Sequence, residues 1–202
     1  MNESELFASL EFKRHLAVGM RGLSRRLMSE HELREYLIKR KVPEHYIAPV
    51  CRYCLNLGFV NDSLLAEDAA GVLSYRGCGS YRIKRTLARR GIDKGDIENA
   101  LSAVADGEYE SALRAAEYKM RSLSRESDMR RKRDKIYRFL IVRGYKYEII
   151  RQVTAQIFQK SADVDNMEDE PDYFWDSSSS SECSWSDEST NNASDEINSI
   201  TF

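Results

Sequence analysis

Proline is scarce in this sequence: Pro43, Pro49 and Pro171 are the only three in 202 residues. Helices are therefore seldom interrupted, because proline removes a backbone donor and clashes with the preceding turn. Histidine is as thin. His15, His31 and His45 show no ligand spacing with one another, which leaves little for a metal centre or an acid–base pair. No run of eighteen apolar residues exists, so nothing spans a membrane as a helix. The opening MNESELFASLEFKRH lacks the basic-then-apolar order of a secretory signal, and a cytoplasmic location is expected. There is no G-x-x-x-x-G-K-[ST], no G-x-G-x-x-G after a strand and no H-E-x-x-H. Gly77-Cys78-Gly79 lacks both a third glycine and a preceding strand, so it is no phosphate cradle. With no catalytic constellation, the expectation is a binding protein, not an enzyme, without cofactor or metal.

Basic residues are missing altogether beyond position 160. Residues 161–202 hold twelve acids and no Lys or Arg. All 31 basic residues fall in 1–160 against 21 acids, so a net charge of −2 hides a body of +10 and a tail of −12. A basic helical body suggests an anionic partner, either nucleic acid or an acidic protein face. The tail, with five serines at 177–181 among acids, buries too little apolar surface to fold and is expected to be disordered. Tyr173-Phe174-Trp175 and Trp185 within it read as tolerated residues more than docking anchors. Folded back on the body, a tethered chain of that charge would compete with DNA.

What is present is a repeat. Leu33, Leu37, Val42, Ile47 and Val50 recur as Ile83, Leu87, Ile92, Ile97 and Ala100, and again as Ile136, Leu140, Tyr145, Ile150 and Val153. The offsets are identical, with Leu37 and Leu87 50 residues apart and Leu87 and Leu140 53. A period near fifty predicts tandem helical units stacked in an array. We divide the chain into repeats at 1–60, 61–107 and 108–160, with the tail at 161–202. Residues 1–10 are expected to fray and Phe12 to Met28 to form the first helix. Ser29 and Glu32 make a capping box for the next. Pro43 opens the third helix, and Pro49 threatens a kink within it. Asn61 or Asp62 caps the fourth, whose face is read as Leu64, Leu65, Ala69, Val72 and Leu73. Ser80 is expected to cap a basic helix that Gly91 ends in a left-handed turn. Asp93 and Asp96 then form a cap and N3 pair, and that helix runs to Ala105. Tyr109, Leu113, Ala116, Met120 and Leu123 line the following helix, and the last reaches Phe158. Cys51 and Cys54 form a C-x-x-C, but they align with Leu101 and Val104 in the second repeat and Thr154 and Ile157 in the third. They are read as core residues, with no second ligand pair nearby in sequence to complete a zinc site.

Four stretches together resemble the RecX family of recombination regulators. They are Ser29-Glu30-His31-Glu32-Leu33 with Leu37; Leu57-Gly58-Phe59-Val60-Asn61-Asp62 with Leu65-Ala66; Arg76 to Ile83 leading into Leu87-Ala88-Arg89-Arg90-Gly91-Ile92; and Phe139 to Tyr145. The likeness covers roughly Leu16 to Phe158. It implies an all-α fold of three three-helix, helix-turn-helix-like repeats in a curved, elongated array. It also implies binding to the RecA recombinase filament on DNA, restraining its ATPase and strand exchange. Leu65 stands where the family often has an aromatic, and Ser80 where it often has proline. The acidic tail lies outside the family pattern.

For contact with RecA or DNA the candidate residues are Arg82, Arg85, Arg89 and Arg90 in the second repeat. Arg130, Arg131, Lys132 and Arg133 are the candidates in the third. Arginines on one helical stripe suit phosphates or carboxylates. The bland alternative is a solvated basic face. Two other functions fit the same residues: a helical-repeat DNA-binding protein acting without RecA, and a protein–protein adaptor. DNA retention that falls with salt separates the first from the second.

Overall fold

The structure, a computed structural model, describes residues 9–158. The acidic tail and most of the segment expected to fray lie outside these residues. The chain divides into units at Met1–Val164 and Asp165–Phe202, and the described residues belong to the first.

Every element among the described residues is a helix. The first repeat contains α1 (Leu10–Leu23), α2 (Glu30–Lys39) and α3 (Glu44–Asn56). The second contains α4 (Asp62–Tyr75), α5 (Ser80–Arg89) and α6 (Lys94–Ala105). The third contains α7 (Glu108–Ser122), α8 (Met129–Val142) and α9 (Tyr147–Phe158). All fifteen aligned apolar positions are buried, none more than 7% exposed. They fall into three separate clusters, one inside each repeat. The periodic stripe thus closes a small core within each three-helix unit. Cys51 and Cys54 sit in the first of these cores.

Local chemistry sets most helix ends. Ser29 caps α2 by accepting from the Glu32 N–H, while the Glu32 carboxylate accepts from the Ser29 N–H. Asn61 caps α4. Pro49 lies inside α3, which continues through it. The first helix stops at Leu23, short of Met28. There the chain turns so that Met28 is buried while Leu27 stays 64% exposed, and Ser29 becomes free to cap α2. Asp93 caps α6, but Asp96 turns away and accepts from the Ser63 hydroxyl at 2.6 Å. Ser80 does not cap α5: Gly79 holds that position, and the Ser80 hydroxyl is buried without a partner. The buried face of α4 is Leu65, Ala66 and Ala70, while Leu64 and Val72 are about half exposed.

The second helix of every repeat ends alike. An arginine closes it (Arg40, Arg90, Arg143), and the next residue is left-handed: Lys41 at φ 59°, Gly91 at 74°, Gly144 at 80°. The N–H after that donates back to Leu37, Leu87 or Leu140. This closing turn is where repeats join. The Ser29 hydroxyl donates to the Arg90 carbonyl at 2.5 Å, and the Gly79 N–H donates to the Arg143 carbonyl at 2.8 Å. Each junction also uses an acid that begins the next repeat. The Glu30 N–H donates to Asp62 at 3.0 Å, and the Ser80 N–H donates to Glu108 at 2.9 Å. These bonds satisfy first-turn donors that the helices themselves leave open.

Candidate nucleic-acid and protein interface

The basic helix α5 exposes part of its stripe and buries the rest in junctions. Arg89 is exposed, and Arg82 and Arg85 are half-buried. The Arg82 guanidinium donates to the Val142 carbonyl of the third repeat at 3.5 Å. Arg90 turns toward the first repeat, donating to Glu32 at 2.9 Å and to the Leu27 carbonyl at 3.3 Å. Arg26 reaches the same carboxylate at 3.0 Å. Burial works to raise the Glu32 pKa, but hydrogen bonds from Arg90, the Ser29 N–H and Arg26 outweigh it and hold the carboxyl below its ordinary value. Arg90 is thus committed to holding two repeats together.

In the third repeat the cations crowd the first turn of α8. Arg130 and Arg131 are exposed; Lys132 and Arg133 are half-buried. Asp128 caps the helix, accepting from the N–H groups of Arg130 and Arg131, and also pairs with the Arg131 guanidinium at 3.3 Å. A carboxylate here offsets cations placed at the unfavourable, positive end of the helix dipole. Lys135 pairs with Glu126 at 2.7 Å.

The eight candidates therefore sort into three groups, of which one, Arg85, Lys132 and Arg133, is half-buried. Arg82 and Arg90 bridge repeats, whereas Arg89, Arg130 and Arg131 face solvent. Sequence reasoning passed over a further set, Arg14, Arg21, Arg40 and Lys41, which line a groove on the first repeat. The signal was available in the repeat register, where Lys41 occupies the position of Gly91 and Gly144.

Cys51, Cys54 and Cys78 are free and buried. Burial pushes the Cys51 thiol up to about 11 and raises that of Cys54, the reverse of what a reactive thiolate needs. Among the described residues no group of three or more His, Cys, Asp or Glu is placed to hold a metal ion. No helix among them is long and apolar enough to cross a membrane.

These features define a tandem three-helix repeat protein with separate cores, polar junctions and cationic outer faces. Comparison with known proteins narrows the class. Residues 16–54 match the family model "RecX, first three-helix domain", and residues 106–154 match "RecX, third three-helix domain". The chain is 30% identical over 163 residues to "Regulatory protein RecX" of Clostridioides difficile, covering 78% of this chain and 76% of that one. It is 32% identical over 137 residues to the protein of the same name from Clostridium botulinum, covering 66% of this chain. The match spans 64% of that relative's length, just under two thirds. The crystal structure of RecX from Lactobacillus salivarius shares the fold, with a TM-score of 0.66 at 24% identity over 74% of this chain and 97% of that one. The chain belongs to the RecX family.

Proposed function

We propose that this protein binds the RecA recombinase filament on DNA and restrains its ATPase and strand exchange, without catalysis of its own. Membership of a family of regulatory proteins supports the partner. The observation that carries the contact is the set of solvent-facing cations, Arg89 on α5 and Arg130 and Arg131 on α8. Guanidinium groups there meet phosphates or filament carboxylates through charge-assisted hydrogen bonds. Arg85, Lys132 and Arg133 border the same faces and are proposed to contribute. Arg82 and Arg90 act one step back, by fixing the repeats that carry the others. Such a role belongs in the cytoplasm.

The test is RecA's DNA-dependent ATP hydrolysis with this protein titrated at sub-stoichiometric ratios. An Arg89→Glu/Arg130→Glu/Arg131→Glu variant runs beside it, chosen to spare both junction arginines. Inhibition well below one molecule per RecA, lost in the variant, is the expected result. Inhibition only at coating concentrations favours a DNA-binding protein that acts without RecA. No effect at any ratio overturns the function and leaves the adaptor reading. Removing residues 161–202 is expected to tighten DNA binding and steepen its salt dependence; equal binding across salt removes the tail from the account.

A further inference from the structure

The arginine that closes the second helix does the same work twice. Arg90 reaches the carbonyl of Leu27, and Arg143 reaches those of Arg76 and Gly77 at 2.8 and 3.2 Å. Leu27 and Gly77 are equivalent positions 50 residues apart. Each arginine therefore plugs into the loop between the first and second helices of the repeat before it. Arg40 is the third member of this set, and no repeat precedes it among the described residues. Its guanidinium lies over the Tyr36 ring at 5.1 Å and is exposed.

The next residue departs from the pattern as well. At Gly144 a Cβ would meet the Arg82 N at 2.5 Å, and at Gly91 it would run into His31. The docked repeat thus forbids a side chain at this turn. No other repeat among the described residues docks on the first at this turn, and it carries Lys41, a lysine in the left-handed backbone that glycine favours.

This open end has a definite shape. Arg40 and Lys41 face Arg14 and Arg21 of α1 across a groove of about 690 Å³. His15, Ala17, Val18 and Val42 also line it. Arg14 and Arg21 are two turns apart, about 10.5 Å along the helix. None of these four cations has a carboxylate partner among the described residues, whereas Arg26, Arg90, Arg131 and Lys135 all do. The nearby acid on α1, Glu11, is occupied by the Tyr46 hydroxyl at 2.7 Å.

A second copy of this chain does not fit. The opposite end of the array is α8, which begins a turn earlier in the repeat register than α2 and α5. That extra turn carries Arg130 and Arg131, followed by Lys132 and Arg133. Head-to-tail addition would bring cations against cations. The occupant must be anionic, and its donors and acceptors must match the groove. The charged lining groups are all donors, and the rest is mostly apolar. A phosphodiester backbone offers acceptors and a sugar edge that match these donors and this apolar lining; an acidic peptide is the outcome that the polyglutamate arm below tests.

We propose that this groove binds the sugar–phosphate backbone of a nucleic-acid strand. Phosphates lie at Arg14, Arg21, Arg40 and Lys41, and the sugars lie against Ala17, Val18 and Val42. Contact with the backbone alone makes the binding independent of base sequence. The inference rests on the nucleic-acid half of the proposed function and adds a site on the first repeat.

The test uses the full chain and a fluorescent thirty-nucleotide oligo-dT, with affinity followed across salt. The groove variant is Arg14→Gln/Arg21→Gln/Arg40→Gln/Lys41→Gly, and Arg89→Gln/Arg130→Gln/Arg131→Gln is its companion. Lys41→Gly restores the residue the other repeats use, so loss of the fold is not built into the design; thermal melting checks this. The expected result is affinity lowered at least tenfold at low salt in the groove variant, with a melt no lower than the parent's. The slope of log affinity against log salt should also be shallower by about 0.7 for each phosphate that the variant no longer neutralises. Wild-type affinity and slope in the groove variant, with weakened binding in the companion, overturn the groove and leave the proposed function standing. Failure of the parent chain to bind oligo-dT overturns the groove and the nucleic-acid half of the proposed function, and leaves contact with the RecA filament to the ATPase test. Displacement of oligo-dT from the groove by polyglutamate as readily as by unlabelled DNA also overturns the proposal, because the site then reads negative charge alone.

Discussion

The two junctions place repeats in the same way with different chemistry. Between the first and second repeats the contact is ionic: Glu32 gathers Arg90 and Arg26, and the Ser29 hydroxyl and Asp62 complete it. Between the second and third it is built mainly on neutral backbone. The N–H groups of Gly79 and Tyr81 donate to the carbonyls of Arg143 and Gly144, and the Ser111 hydroxyl donates to the Ser74 carbonyl. Arg143 takes part, but it is 7% exposed and its guanidinium donates to the carbonyls of Arg76 and Gly77. One repeat geometry therefore does not require one set of partners. What both junctions share is an arginine and a glycine at the closing turn of the second helix, and an acid, Asp62 or Glu108, that accepts from a first-turn N–H of the repeat before it. The difference predicts that acid and salt loosen the first junction before the second.

The glycine position breaks the comparison hardest. Gly144→Ala places a Cβ against backbone of the neighbouring repeat in a left-handed conformation. It should cost about 4 kcal/mol, combining the chirality penalty with overpacking. Gly91→Ala meets the His31 side chain instead and should cost about 3 kcal/mol. Lys41→Gly should raise stability by about 1 kcal/mol, because no neighbour opposes it and strain is relieved. Denaturant titration of the three variants orders them; equal losses at Gly144 and Gly91 would dissolve the distinction between a backbone and a side-chain neighbour.

The arginines come next. Arg143→Met strands the carbonyls of Arg76 and Gly77 in a buried place and should cost about 3 kcal/mol. Arg90→Met leaves Glu32 with Arg26 and partial access to water, and should cost about 2 kcal/mol. Raising salt to 1 M should shrink the Arg90 loss, which removes a partly exposed charge pair, more than the Arg143 loss, which removes buried bonds to carbonyls. Identical salt responses would count against an ionic first junction.

Periodicity made the cores legible, because the fifteen apolar positions sit within single repeats and depend on local amphipathicity. The capping box at Ser29 and the left-handed turn at Gly91 were legible for the same reason. Errors arose where a partner lies in another repeat or element. Ser80 looked like a cap, but its N–H is claimed by Glu108, 28 residues away, and Gly79 approaches the third repeat so closely that it takes the capping position. In α4 large apolar residues occupy more than one side, and the helix turned its alanines inward. Such close helix packing selects small residues that a hydrophobicity pattern underrates. The stripe Arg82, Arg85 and Arg89 could be drawn from angles alone, but angles do not show that Arg90 points back at Glu32.

The smallest effect is also the most diagnostic. Glu32→Gln keeps the shape of the side chain while removing its charge, and should cost about 1 kcal/mol at neutral pH. The Glu32 carboxyl is held below its ordinary value in the folded protein, so the stability it contributes is complete above the unfolded value of 4.5. That contribution is lost as the pH falls through the lower folded value. Parent and variant should therefore differ at pH 7 and converge as the pH falls below the lowered folded value. Asp62 pulls the other way: burial, only partly offset by the Glu30 N–H, raises its carboxyl, so protonation of Asp62 relieves a cost. Asp62 is present in both chains, and its contribution largely cancels when their stabilities are subtracted. A difference that persists undiminished into acid would mean that Glu32 acts through packing and not charge, and the contrast between an ionic and a neutral junction would fall.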